Sequence, residues 1–219
     1  MAVLDNATGA QIGETLAITV PGYSSNSQPL VTTTINKRAV VATATYNPAI
    51  VDNVTRVAVV DTTTGSQIGN AVIVTGEPSA SLPLDADGSR VLITTRSYAA
   101  QTGVYTTRVA VIDTTNGVQI GDTLTFNAEQ IGSPRLNADG TRALITTRVY
   151  DTGTGNYGLW VTEVDPTTGK QIGSASPYME DPQYSVVSAN GTRAINVASI
   201  FPGDGTTRLT VFKIVKPAP

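Results

Sequence analysis

The chain has 219 residues, 40% hydrophobic and 14% charged, with a formal net charge of -3. That apolar fraction is enough for a core and excludes wholesale disorder, and the lack of a basic excess argues against nucleic acid or membrane as partners. With no Cys and no His, disulfides and thiolate metal sites are excluded, and the commonest general base and metal ligand are missing.

The chain opens on Met-Ala-Val-Leu-Asp, which matches the later part of strand-like segments found downstream. Residues 5–13 then carry Asp-x-Ala-x-Gly-x-Gln-Ile-Gly, and residues 61–69, 113–121 and 165–173 carry Asp-x-Thr-x-Gly-x-Gln-Ile-Gly. A second landmark follows each of these blocks: Arg38, Arg90, Arg142 and Arg193, at steps of 52, 52 and 51 residues, each open a short apolar run. A period in this range is the signature of a propeller, solenoid or array.

Within one period the elements run in a fixed order. Residues 55–61, Thr-Arg-Val-Ala-Val-Val-Asp, hold consecutive apolar positions, as expected of a strand buried on both faces. The loop 62–65 ends in Gly65, suited to a positive φ that closes a hairpin. Residues 67–74 alternate more, which places that strand nearer an edge. A short strand at 81–84 and the turn Asp85-Ala-Asp-Gly88 lead into Arg90-Val-Leu-Ile-Thr-Thr-Arg96. Four strands per repeat with tight turns predict an all-β, β-propeller-like fold of about four blades, each of four antiparallel strands, in a single domain spanning 1–219. In this order the last blade lacks its outer strand, and residues 11–20 are expected to supply it. An open array of hairpins or a β-sandwich is the alternative. The chain enters and leaves the repeat partway, which reads as the C-terminal part of a longer protein.

The words Ala-Asp-Gly-Thr-Arg at 138–142 and Val-x-Val-Ile-Asp-Thr-x-x-Gly at 109–117 resemble bacterial propeller repeats of the YVTN type. The Thr-rich variant with Gln-Ile-Gly is also similar to repeats of large actinobacterial surface proteins. The YVTN signature itself is replaced by Leu-Ile-Thr-Thr at 92–95 and 144–147. The resemblance implies blades and an extracytoplasmic or cell-surface setting; it implies no particular activity.

The recurrent Asp5, Asp61, Asp113 and Asp165 each end a strand before a turn, where a carboxylate bonds to nearby amides. Asp85-Ala-Asp-Gly88 has a calcium-loop flavour, yet no bidentate Glu follows at loop spacing, so it reads as a hairpin turn. The landmark arginines admit an anion-binding ring; pairing with turn aspartates is the plainer reading. Arg96 and Arg148 recur in two repeats, with Ala44 and Ser199 in the other two slots, so the scaffold does not demand them. No Gly-x-Ser-x-Gly elbow, phosphate loop, signal peptide or membrane span is found.

The aromatic residues carry the strongest functional signal. Tyr46, Tyr98, Tyr150 and Phe201 share one repeat position; Tyr105, Tyr157 and Trp160 follow the long connections, and Tyr23, Tyr178 and Tyr184 lie in the links. The expectation is a non-catalytic extracytoplasmic binding or scaffold module. Its protein, peptide or carbohydrate ligand would meet Tyr98, Tyr105, Tyr150, Tyr157, Trp160, Arg96 and Arg148 on loops of one propeller face, without metal or cofactor. The alternative is a lactonase-like or other hydrolytic propeller using channel carboxylates.

Overall fold

The computed structural model describes residues 2–15, 30–137, 140–151, 156–179, 182–187, 193–199 and 207–213. The elements among them are all β-strands: β1 (Val3–Leu4), β2 (Gln11–Ile12), β3 (Leu30–Ile35), β4 (Arg38–Asn47), β5 (Asp52–Asp61), β6 (Gln67–Thr75), β7 (Glu77–Pro83), β8 (Arg90–Ala99) and β9 (Val104–Asp113). These are followed by β10 (Val118–Phe126), β11 (Glu129–Gln130), β12 (Arg135–Leu136), β13 (Ala143–Asp151), β14 (Asn156–Val164), β15 (Gln171–Met179), β16 (Pro182–Val187), β17 (Arg193–Ser199) and β18 (Thr207–Lys213).

Each repeat folds as a sheet whose strands pair in sequence order: β3-β4-β5-β6, then β7-β8-β9-β10. In the third sheet β13, β14 and β15 follow in order, and the link strand is split into β11 and β12, both paired with β13. The break holds Gly132, at φ 69°, and Pro134, which has no N–H to give to a ladder. The fourth sheet, β16-β17-β18, has three strands. Gln11 and Ile12, at the start of the segment expected to complete it, pair with Leu4 and Val3 in a hairpin of their own, and residues 16–20 of that segment lie outside the described residues.

The chain forms two compact units, Met1–Ser97 with Arg108–Thr123, and Tyr98–Thr107 with Leu124–Pro219. In the first unit the consecutive apolar residues are buried on both faces. Val40, Ala42, Val57 and Val59 pack with Val91, Ile93 and Ile112 in one cluster, while Val41, Ala58 and Val60 are buried as well. Burying each such Val or Ile contributes roughly 1.5–3 kcal/mol against exposure. In the second unit Ile145, Leu159, Val161 and Val164 are buried in the same manner.

The repeated motif is a set of local hydrogen bonds. Asp61, Asp113 and Asp165 each accept from the amide two residues on, Thr63, Thr115 and Thr167, at 2.7 Å. Gly65, Gly117 and Gly169 each close the turn by donating to the aspartate carbonyl. The Gln side chain then donates to the carbonyl of the glycine two residues on, in all four copies: Gln11 to Gly13, Gln67 to Gly69, Gln119 to Gly121 and Gln171 to Gly173. Gly69 and Gly173, both at φ 64°, sit where the β5-β6 and β14-β15 registers shift. There the positive φ lets the outer strand bulge.

Candidate functional site

The described exposed aromatics sit at the tips of three hairpins. In the first unit the β4-β5 tip presents Tyr46, Ile50 and Val51, the last 68% exposed and held at φ 53°. A β-branched residue in that conformation is strained, and the tip exposes it to solvent.

The second unit holds two tyrosine pairs. Tyr98 and Tyr105 face each other across the β8-β9 tip, ring centroids 4.6 Å apart. Tyr150 and Tyr157 are direct register partners on β13 and β14, with centroids 5.1 Å apart. One member of each pair is open to solvent, Tyr98 at 55% and Tyr150 at 53%, and its partner is half-buried beneath it. Tilted contacts at these separations suit the ring quadrupoles.

Arg148 completes the second pair. It lies two residues before Tyr150 on β13 and therefore on the same strand face. Its guanidinium carbon stands 4.6 Å from the Tyr157 ring centroid, and its Nε donates to Glu129 Oε2 at 2.6 Å. Glu129 reaches it because β11 pairs with β13 in the register Glu129 to Arg148. The result is a fixed planar cation beside two tyrosine rings, an amphipathic shelf with apolar surface, hydroxyls and a guanidinium.

The other predicted residues lie elsewhere. Arg96, in the first unit, is exposed on β8 with Glu77 as its register partner on β7. Trp160 is half-buried on β14, an odd number of residues from Tyr157, so it projects from the opposite strand face. Its Nε1 is buried without a hydrogen-bond partner among the described residues. Tyr23 and Phe201 lie outside the described residues, as do the side chains of Tyr178 and Tyr184.

Glu77 and Glu129 are absent from the sequence-based site. Their signal is visible in retrospect: they stand 52 residues apart, each 19 residues before Arg96 or Arg148. Ile50 and Val51 were likewise not singled out, since only the fold shows them exposed at a tip.

The turn carboxylates are occupied. Hydrogen bonds from the Thr63 side chain and amide hold Asp61 below the usual carboxylate range. At Asp85, burial pushes the pKa up, but the Arg90 and Ser89 side chains outweigh it and the net shift is downward. Arg90 grips Asp85 through Nε at 2.9 Å and Nη2 at 2.7 Å. The segment 85–88 is thus a salt-bridged turn. Arg142 pairs instead with Glu163 on β14. Among the described residues no three carboxylates gather at metal-binding range.

No protein-family model matches the chain, and no curated protein matches it. Solved structures do. An acylaminoacyl peptidase from Pyrococcus horikoshii aligns at TM-score 0.54 and 11% identity, over 85% of this chain and 31% of that one. The β-propeller domain of the trilobed protease from Pyrococcus furiosus aligns at 0.46 and 13%, over 90% of this chain and 59% of that one. The Dos1 propeller aligns at 0.43 and 12%, over 95% and 61%. The chain therefore spans about a third of the peptidase and under two thirds of the other two. With a meandering antiparallel sheet in each repeat, the fold is all-β and β-propeller-like.

Proposed function

We propose that the chain is a non-catalytic binding module that receives a protein, peptide or glycan ligand on its paired tyrosines, with Arg148 orienting it. The observation that carries this reading is the Tyr150–Tyr157–Arg148 shelf. It is a rigid amphipathic surface in which Glu129 fixes the cation before any ligand arrives. Tyrosine offers large contact area at low entropic cost, and pre-fixed geometry lowers the cost of binding further. Tyr98–Tyr105 supplies a second platform of the same kind.

The extracytoplasmic setting belongs to the same proposal and is supported by the resemblance of the repeats to those of bacterial surface proteins. Glycan and peptide arrays probed with the wild type and with Tyr150→Ala/Tyr157→Ala test the reading. Selective binding that the double substitution removes is the expected result. Binding indifferent to that change would discard the shelf, and no selective binding at all would leave a spacer.

A further inference from the structure

Within the first unit the β1-β2 hairpin docks on the following repeat as that repeat docks on the next. Gly13 lies against Thr64 and Gly65 as Gly69 lies against Asn116 and Gly117, backbone on backbone. β1 and β2 therefore take the places of β5 and β6, and Leu4 stands where the later repeats have Val60, Ile112 and Val164. Those three side chains are 0% exposed, whereas Leu4 is 61% exposed.

The strand that covers the other three is the one opened by the landmark arginine. Val60 is the register partner of Ala39 on β4, and Val164 that of Ala143 on β13. β9 pairs with β8 in the same manner. β1 pairs with β2 alone among the described residues. The main chain shows which groups are left over. Thr62 N–H donates to the Lys37 carbonyl at 2.7 Å, and Thr114 N–H to the Ser89 carbonyl at 2.8 Å. By the alternation of an antiparallel ladder, Val60 then turns its N–H and C=O to β4 as well. Asp5 gives its N–H to Ala10 on the β2 side, so Leu4 and Asn6 turn theirs to the open edge. The Asn6 amide makes no backbone bond among the described residues. Ala2, Val3 and Leu4 include none of the lysines or prolines that guard a free edge.

We propose that the open edge of β1 is a docking site for an extended segment of a partner polypeptide, added as an antiparallel strand of the landmark-arginine type. Its pattern is an arginine opposite Asp5, a small residue opposite Leu4 and β-branched residues beyond, as Arg38, Ala39 and Val40 stand opposite Asp61, Val60 and Val59. A folded second copy has no such strand to give, because β4, β8, β13 and β17 are each paired on both edges.

The test uses the 15N-labelled full chain and a synthetic peptide of residues 37–45, Lys-Arg-Ala-Val-Val-Ala-Thr-Ala-Thr. Saturable binding is expected, with hydrogen exchange slowed at the Leu4 and Asn6 amides. N-methylation of the peptide at the residue corresponding to Ala39 removes a ladder N–H and is expected to weaken binding by about tenfold. Leu4→Pro, which removes the outward N–H and leaves the side facing β2 intact, is expected to weaken it similarly. The methylated peptide carries the test by itself if that variant does not fold. Absence of saturable binding overturns the proposal. So does binding that methylation or a scrambled order leaves unchanged, or that slows exchange elsewhere and not at Leu4 and Asn6. Concentration-dependent dimerisation that protects these two amides without peptide also overturns it, making a second copy the occupant.

Discussion

Gly117 lies against the main chain of Ile68, so close that a Cβ on Gly117 would meet the Ile68 carbonyl oxygen at 2.1 Å. The contact is reciprocal, since a Cβ on Gly69 would meet the Asn116 carbonyl at 2.0 Å. One repeat earlier, Gly65 and Gly13 meet in the same way, at 2.3 Å from Ile12 O and 2.1 Å from Thr64 O. The Asp-turn of one repeat thus nests on the Gln-Ile-Gly of the repeat before it. Two glycines of the motif are interlocking backbone, a role their place in turns does not reveal.

This interlock makes Gly117→Ala costly. Positive φ and the backbone clash together are expected to remove about 3 kcal/mol or more of stability. Gly103 has nearly the same φ, 71°, but nothing within 4 Å, so Gly103→Ala is expected to cost about 1 kcal/mol. Urea unfolding of the two variants side by side measures the difference. Equal losses would mean that the contact contributes nothing beyond the dihedral.

Buried threonines close the ends of the sheets. Thr107 Oγ1 donates to the Ala128 carbonyl at 2.7 Å, and Thr55 Oγ1 makes the corresponding bond to Gly76 at 2.5 Å. Thr107→Val keeps the shape and orphans a buried carbonyl, an expected loss of about 1–2 kcal/mol. Thr107→Ser retains the donor and should fall between it and the wild type. A Val variant as stable as the wild type in chemical denaturation would refute the assignment.

The Asp85–Arg90 pair predicts a pH dependence. The folded-state pKa of Asp85 is lowered, so the pair's stabilisation is fully present above the ordinary aspartate pKa of about 3.9 and is lost as pH falls through the lowered value. Asp85→Asn is therefore expected to cost about 1 kcal/mol at pH 7. Its deficit against the wild type should close as the pH is taken below the usual aspartate range. Unfolding curves at pH 7, 5 and 3 check this; a gap that stays constant would exclude the ionised pair as its cause.

Tyr150 and Tyr157 are expected to be coupled. A double-mutant cycle with Tyr150→Ala and Tyr157→Ala should return about 0.5–1 kcal/mol of interaction energy in thermal or urea unfolding. Strict additivity would mean that the rings neighbour each other without interacting.

The strand order was legible because a doubly buried strand needs consecutive apolar residues and a tight turn needs Asp and Gly, both written locally. Val57 to Val60 announce their burial in this way, and Asp61 to Gly65 announce the turn. The tyrosine positions were legible from the period alone. The ion pair of Arg148 was not, because Glu129 lies on another strand and only the β11-β13 register brings them together. The facing of Trp160 was also hidden, since loop proximity in sequence says nothing of strand parity.

By itself, then, the sequence determined an all-β repeat, its hairpins and the residues that differ between copies, all consequences of local dihedral preference and apolar spacing. Tertiary structure alone decided which charges are spent and which are left over. Arg142 finds Glu163 and Arg148 finds Glu129, each on another strand, and the Arg38 side chain forms no ion pair among the described residues, whereas Arg90 takes Asp85 within its own turn, a pairing the sequence already suggested. The physical reason is that an ion pair depends on register between strands and on packing between sheets, and a single substitution such as Thr33 for an aspartate can redirect it.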